Sequence, residues 1–202
     1  MYLKILKKTL RYSLAFIGLL IAGLFLWLNF GVYTFTNSVE RDEIISQVKN
    51  APALPESFLE IYGKVNQEQM NRSVYSWFLN WANGHNYSQP HIDASAEWAM
   101  DHRKGYMQNI AAMAFFLNRN VSKEECVQFL FARKNFYHNC IGVEQAALFY
   151  YKKPLNSLSD DEMIGLIAMY PYPSLYNPLG SNRRFHDRFE SLNKKYIQAT
   201  KH

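Results

Sequence analysis

Residues 142–178 read GVEQAALFYYKKPLNSLSDDEMIGLIAMYPYPSLYNP, and this stretch decides the fold class that the sequence predicts. Apolar residues at helical spacing predict a first helix within it: Val143, Ala146, Ala147 and Tyr150. Ser159 and Glu162 have the spacing of a capping box and predict where a second helix starts. Proline, asparagine and serine predict a loop over residues 170–184. The stretch therefore predicts two helices followed by a proline-rich loop.

Apolar stripes at the same spacing recur along the rest of the chain. They are Phe58, Ile61, Tyr62 and Val65; Val74, Trp77, Phe78 and Trp81; Ile110, Met113, Ala114 and Leu117; Val127, Leu130 and Phe131; and Phe185, Phe189, Leu192 and Tyr196. Ser122 with Glu125 has capping-box spacing and predicts another helix start, while residues 84–90 predict a loop. The pattern lacks convincing strand alternation, so we predict a mainly α chain whose aromatic stripes form its core.

The N-terminal segment predicts a membrane anchor. Residues 12–39 contain no charged side chain, and a helix of about 20 apolar residues spans a bilayer. Four cations precede this run, namely Lys4, Lys7, Lys8 and Arg11, which places the N-terminus in the cytoplasm by the positive-inside rule. A cleaved signal peptide is the alternative, but the run is long and no A-x-A-like site follows it. We predict a stub and single-pass anchor over residues 1–39 and an extracytoplasmic domain over residues 40–202.

The charge of the remaining chain is nearly balanced. Residues 40–202 hold 18 basic and 17 acidic side chains, which argues against a broad nucleic-acid-binding surface. Cys126 and Cys140 have no framework spacing, and free buried thiols are common, so we expect both to be unpaired.

The opening stretch resembles the closing third of the glycosyltransferase family 51 domain, the peptidoglycan transglycosylase of bifunctional penicillin-binding proteins. That family reads roughly G-I-E-A-A-A-x-x-Y-F-G-K, then L-x-x-x-E, L-A and Y-N-P. The matching residues are Gly142, Val143, Glu144, Ala146, Ala147, Tyr150, Tyr151, Lys153, Leu158, Glu162, Ala168, Pro173, Tyr176, Asn177 and Pro178. The resemblance holds for about residues 105–178 and extends more weakly back to Leu54. It implies a lysozyme-like helical fold in a divergent, shortened member, in a bacterial cell membrane. Of the matching residues, those interpreted as scaffold are Gly142, Glu144, Tyr150, Lys153, Glu162, Asn177 and Pro178.

The catalytic half of the family pattern is not met. In that family a carboxylate in an E-D-x-x-F-x-x-H-x-G motif accepts a sugar 4-hydroxyl proton while undecaprenyl pyrophosphate departs. A register anchored on residues 57–58 puts Tyr62 and Gly63 at the Glu-Asp positions, and Glu60 fits only if the register slips by two. Ile110 stands at the family's second glutamate. We therefore assign no catalytic residue and no cofactor, and expect a divalent metal only if the protein is active.

Weaker matches suggest contacts with a glycan or phosphate. Gln89 ends a segment similar to the family's T-I-T-Q, and Arg103 and Lys104 resemble a displaced basic pair. His85, His91 and Asp93 lack zinc-ligand spacing and are interpreted as loop residues, not as a metal site.

Three functional hypotheses follow from these residues. The first is a catalytically degenerate, membrane-anchored relative that retains lipid II or glycan-strand binding. The second is an active but divergent glycosyltransferase that uses Glu60, Glu97 or Asp101 as carboxylates. The third is a non-enzymatic module that binds another envelope protein. The most useful observation for choosing among these hypotheses is whether the folded chain brings two carboxylates together in one cleft.

Overall fold

The computed structural model describes residues 2–83, 88–180 and 182–201, and in these residues all regular structure is helical. The helices are α1 (Tyr2–Phe30), α2 (Val32–Phe35), α3 (Ser38–Lys49), α4 (Glu56–Val65), α5 (Gln67–Asn71), α6 (Val74–Ala82), α7 (Pro90–Asp101), α8 (Met107–Asn120), α9 (Lys123–Arg133), α10 (Val143–Tyr151), a 3₁₀ turn (Leu155–Ser157), α11 (Asp160–Met169) and α12 (Arg183–Thr200). The predicted mainly α fold with an N-terminal apolar helix is confirmed.

The predicted helix starts match the structure at both capping boxes. Ser122 accepts a hydrogen bond from the Glu125 backbone N–H, and the Glu125 carboxylate accepts one from the Ser122 backbone. Ser159 and Glu162 make the same reciprocal pair at the start of α11. These bonds satisfy backbone donors that a helix start leaves unpaired.

In the described part of the chain the core consists of three apolar clusters. The first joins α4, α9, α10 and α11 and centres on Phe58, Phe131 and Leu166. The second joins α2, α3, α7, α8 and α9 around Trp98 and Leu117. A third, smaller cluster holds Leu28, Val74, Trp77, Ile92, Ala111, Ala114 and Phe115. Helices α7 and α8 thus contribute to two clusters, so α7 is held from two sides.

The N-terminal helix includes one stretch long and apolar enough to cross a membrane, Lys7–Phe30. Its 24 residues correspond to about 36 Å of helix, more than the hydrocarbon thickness of a typical bilayer. The last turn packs on the domain: Arg119 donates to the Asn29 carbonyl at 2.8 Å, and Trp27 Nε1 donates to the Gln108 carbonyl at 3.4 Å. Leu28 is buried, so the end of α1 belongs to the domain's packing.

Both cysteines are buried free thiols, as expected from their spacing. Cys140 lies in a tight turn between α9 and α10, where Asn135 and Ile141 form an isolated antiparallel bridge. Burial raises the pKa of Cys126 and that of Cys140, which keeps both thiols protonated near neutral pH.

Candidate functional site

A cleft of about 320 Å³ opens between α7, the C-terminal end of α4 and the loop that follows α11. Its polar lining includes Asn66, Ser88, Asp93, Glu97, Lys134 and Arg188. Gln69 lines it as well, so the cleft brings two carboxylates, two cations and two amides together, at a place where α4, α7, α9 and α12 converge.

Both carboxylates lie on α7. Asp93 and Glu97 are four residues apart, so they occupy the same helix face one turn apart. The start of α7 is fixed by Gln89, whose side-chain oxygen accepts from the Ile92 backbone N–H at 3.1 Å, and by Pro90 at the first helical position. The cap therefore orients the first turn that carries Asp93.

Asp93 is the more perturbed of the two acids. Burial raises the pKa of its carboxyl to about 6, against the opposing effect of the hydrogen bond that it accepts from the Ser88 hydroxyl. A carboxyl with such a pKa exchanges protons near neutral pH, a property that concentrates at functional sites.

Two cations contribute to the same cleft. Lys134 Nζ lies 5.1 Å from the Tyr170 ring centroid, and burial lowers the pKa of this lysine against the charges of Glu97 and Asp93. Arg188 Nε donates to the Ala168 carbonyl at 2.9 Å, and its guanidinium lies 5.1 Å from the Tyr176 ring centroid. Protein carbonyls and rings hold both cations in place, which suits them to bind an anionic group.

The rim of the cleft is apolar and aromatic. Met100 and Tyr172 line it and are each 64% exposed, and the Tyr172 ring lies 6.3 Å from that of Tyr176. Exposed rings beside hydrogen-bonding groups present an apolar face and a polar tip to a ligand.

The C-terminal part of the chain is similar to a known protein family. Residues 102–196, just under half of the chain, match the family described as Transglycosylase. Penicillin-binding protein 4 of Bacillus subtilis (strain 168) is 30% identical over 82 residues, which are 40% of this chain and 13% of that protein. This part of the chain is therefore similar to a transglycosylase domain. This confirms the predicted resemblance, while the chain matches only a small part of that relative's length.

The three carboxylates considered from the sequence occupy different places in the structure. Glu97 lines the cleft. Glu60 lies on the exposed side of α4, where its Oε1 pairs with Lys64 Nζ at 2.7 Å. Asp101 ends α7 and pairs with Arg133 on the surface. Of the three, the structure brings only Glu97 into the cleft, beside Asp93, which the sequence reasoning did not treat as a site carboxylate.

Two of the predicted glycan or phosphate contacts, Gln89 and Lys104, make structural contacts within the protein. Gln89 is fully buried as the cap of α7, so a ligand cannot reach its side chain in this structure. Lys104 Nζ lies 2.6 Å from Glu40 Oε1 and is held there between α3 and α7. Arg103 is exposed in the turn after α7, where a ligand can approach it. Residues 84–87, which include His85 and most of the segment similar to T-I-T-Q, lie outside the described residues.

The arrangement around His91 is that of a packed core histidine. Gln89 Nε2 lies 3.0 Å from His91 Nδ1, and His91 Nε2 lies 3.0 Å from the Val121 carbonyl. A carbonyl only accepts, so Nε2 carries the proton, and burial lowers the pKa of this histidine. Across residues 2–83, 88–180 and 182–201, no three His, Cys, Asp or Glu side chains gather as metal ligands would.

The family-motif residues hold the scaffold together. Gly142 has φ +84° and donates its N–H to the Lys134 carbonyl at 2.8 Å. Lys153 Nζ lies 2.8 Å from Glu162 Oε1, and this hydrogen bond is the main reason that the pKa of Glu162 is lowered. Tyr150 donates to the Phe136 carbonyl at 2.9 Å, and Asn177, next to Pro178, donates to the Ser174 carbonyl at 3.2 Å. Glu144 is exposed in the first turn of α10.

Sequence reasoning missed several cleft residues: Asn66, Asp93, Lys134 and Arg188. No motif marks them. For Asp93 a weak signal exists, because Gln89-Pro90 has the residue types of a helix start and places Asp93 and Glu97 one turn apart.

Proposed function

We propose that this protein is a membrane-anchored, peptidoglycan glycosyltransferase-like protein that binds lipid II or a glycan strand in the α7 cleft without polymerising it. The observation that carries the proposal is the composition of the cleft. It holds charged and aromatic groups for recognition, while an amide stands where the family chemistry needs a base.

The recognition half of the proposal rests on complementary chemistry. Lys134 and Arg188 supply positive charge for a pyrophosphate, and charge-assisted hydrogen bonds of this kind are the stronger ones. Asp93 and Glu97 supply acceptors for sugar hydroxyls. Tyr172 offers an exposed ring at the rim for a sugar face or a lipid chain.

The proposed absence of turnover is argued from Asn66. Asn66 and Gln67 followed by Met70 have the spacing of E-D-x-x-F, with amides in place of both carboxyls. Asn66 caps the end of α4 and lines the cleft. Tyr62, which stands at this position in the register predicted from the sequence, also lines the cleft but is 6% exposed and carries no carboxylate. An amide does not take up a proton as a base does, so the expected loss is on the order of 10²–10⁴-fold.

A second candidate is an active, divergent glycosyltransferase, and one observation favours it. Asp93 has a pKa of about 6 and lies in the cleft with Glu97, and a general base works best with a pKa near the operating pH. In this alternative the proton of the attacking 4-hydroxyl passes to the Asp93 carboxylate as the anomeric carbon–pyrophosphate bond breaks. The third hypothesis, an envelope protein-interaction module, gains no specific support from the cleft.

We also propose that α1 anchors the protein in a bacterial cell membrane. The span Lys7–Phe30 supports anchoring, and the four cations before residue 12 support a cytoplasmic N-terminus with the domain outside. The lipid bilayer is then a partner of α1, and the substrate class implied by the domain is itself lipid-linked.

The test uses the full chain in detergent micelles or nanodiscs with fluorescent lipid II. We expect saturable binding and no glycan chains on a gel. Arg188→Gln should weaken binding by about 10–100-fold, as expected for loss of a charge-assisted contact. Lys194→Gln, an exposed cation on the same helix, is the matched control and should leave affinity unchanged.

The outcomes separate the hypotheses. Glycan chains formed by the parent protein would overturn the degenerate proposal, and their disappearance in Asp93→Asn would assign them to the second candidate. Chains formed only after Asn66→Glu would support the position assigned to Asn66. Absence of binding, together with a co-purifying envelope protein, would favour the third hypothesis.

A further inference from the structure

A second cavity lies beside the cleft and is not used by the proposed function. It has a volume of about 320 Å³ and opens between α4, α5 and α12. We call it the α5 pocket. Asn66 and Gln69 line both the α5 pocket and the cleft, so the two cavities adjoin at the junction of α4 and α5. A ligand held in the cleft can therefore extend into the α5 pocket.

The lining of the α5 pocket is polar. Four side-chain amides contribute to it, namely Asn66, Gln67, Gln69 and Gln198. Its apolar lining is limited to Val65 and Ala199, and within the described residues no aromatic ring lines it. A side-chain amide both donates and accepts hydrogen bonds, as the N–H and C=O groups of a peptide do. Because the pocket lacks a ring for a sugar face and an apolar wall for a lipid chain, its chemistry fits a peptide.

The charged groups of the α5 pocket are Lys64, Lys195 and Glu68. Lys64 Nζ is already paired, since it lies 2.7 Å from Glu60 Oε1 and 5.4 Å from the Tyr196 ring centroid. Lys195 is exposed, and among the described residues it makes no ion pair. Lys195 can therefore pair with a carboxylate of a ligand, while Glu68 can accept a hydrogen bond from a ligand N–H.

The position of Lys195 on α12 relates the pocket to the cleft. Arg188, which lines the cleft, precedes Lys195 by seven residues. Seven residues are close to two helical turns, so both residues lie on the same face of α12, about 10 Å apart along its axis. Helix α12 holds five basic and two acidic side chains, whereas residues 40–202 as a whole are nearly balanced in charge. The cleft and the α5 pocket thus share one basic wall.

We propose that the α5 pocket binds an acidic peptide that is covalently attached to the ligand of the cleft, with Lys195 pairing with a peptide carboxylate and the amides pairing with the peptide backbone. This inference rests on the proposed function. Lipid II has the required chemistry, because the sugar bonded to its pyrophosphate also carries a short peptide with free carboxylates. Since three extended residues cover about 10 Å, one molecule can place a pyrophosphate at Arg188 and a carboxylate at Lys195.

The test uses the full chain in nanodiscs and three fluorescent ligands: lipid II, lipid II with its peptide carboxylates amidated, and the same lipid-linked disaccharide without a peptide. We expect the parent protein to bind lipid II about 2–5-fold more tightly than the amidated ligand, which is the size of one exposed ion pair. Lys195→Gln should remove that preference and leave the affinity for the peptide-free ligand unchanged. Lys194→Gln, at the neighbouring exposed cation, is the matched control and should preserve the preference.

The peptide-free ligand should bind more weakly than the amidated one, because it also lacks the peptide backbone groups. Equal affinity of the parent protein for all three ligands would overturn the inference and leave the proposed function intact. An equal loss of affinity for all three in Lys195→Gln would also overturn it, since Lys195 would then contact the part that the ligands share. Absence of binding to any of the three would instead overturn the proposed function, and the inference with it.

Discussion

The two halves of the cleft differ in how they relate to the transglycosylase family. The matched part, residues 102–196, supplies Lys134 and Arg188, whereas Asn66, Asp93 and Glu97 lie outside it. In the matched part, the motif residues hold the backbone in position. In the unmatched part, the cleft residues bear charge and hydrogen-bonding groups but carry little of the packing. The part of the chain that resembles the family thus supplies structural motif residues and the cations of the cleft, whereas both carboxylates of the cleft come from the part that does not match.

Gly142 shows why the scaffold is recognisable in the sequence. Its φ of +84° belongs to the region that favours glycine, and a Cβ would lie 2.7 Å from the Ala132 carbonyl oxygen. The hydrogen bond from its N–H to the Lys134 carbonyl then closes the turn between α9 and α10. Because the backbone geometry requires glycine at this position, the position can be recognised in the sequence. The hydrogen bond from Gly142 to the Lys134 carbonyl also helps to position Lys134 in the cleft.

The largest expected difference between the two halves is in stability. Leu166 is fully buried in α11, so Leu166→Ala should lower the free energy of unfolding by about 2–5 kcal/mol through lost burial and a cavity. Glu97→Ala in the half-buried cleft wall should change it by less than about 0.5 kcal/mol. Urea unfolding of the detergent-solubilised chain measures both, and equal midpoints for the two variants would break the distinction between scaffold and cleft.

A smaller effect isolates the role of Gly142. Gly142→Ala should destabilise by about 1–3 kcal/mol, because it adds a close approach to a backbone conformation that alanine rarely adopts. Gly180 is the matched control, since its φ is +67° but a Cβ on it would meet no atom within 4 Å. Gly180→Ala should therefore cost only the conformational part, about 1 kcal/mol. If both variants lose the same free energy of unfolding in urea, the close approach to the Ala132 carbonyl does not contribute to the cost of Gly142→Ala.

Sequence reasoning succeeded where local physics determines the structure. The capping boxes at Ser122 and Ser159 and the apolar stripe of α4 predict helices that the structure contains. The cleft was not predictable in the same way, because Asn66, Asp93 and Arg188 come together only through tertiary packing. Glu60, the one carboxylate singled out by register, lies instead on an exposed helix face, since a register slip of two residues rotates a helical position by about 200°.

Asp93, unlike the scaffold residues, lowers the stability of the folded protein near neutral pH. Burial raises the pKa of Asp93 from its ordinary value of 3.8 to about 6, so the folded protein binds this proton more tightly than the unfolded chain. Because the folded state holds more protons between these two values, stability falls as pH rises from about 4 to about 6. Above that range the ionised Asp93 destabilises the fold. Glu162, a scaffold residue whose pKa is lowered, does not have this effect.

Asp93→Asn removes this penalty while its amide oxygen still accepts from the Ser88 hydroxyl. We expect the variant to exceed the parent in unfolding free energy by about 1–2 kcal/mol at pH 7.5 and to lose that advantage at pH 4. Asp42→Asn, at an exposed position on α3, is the control and should show no such pH-dependent gain. Urea unfolding at several pH values measures the difference. A gain independent of pH would mean that Asp93 is not a buried, proton-exchanging carboxyl, and would remove the main support for the catalytic alternative.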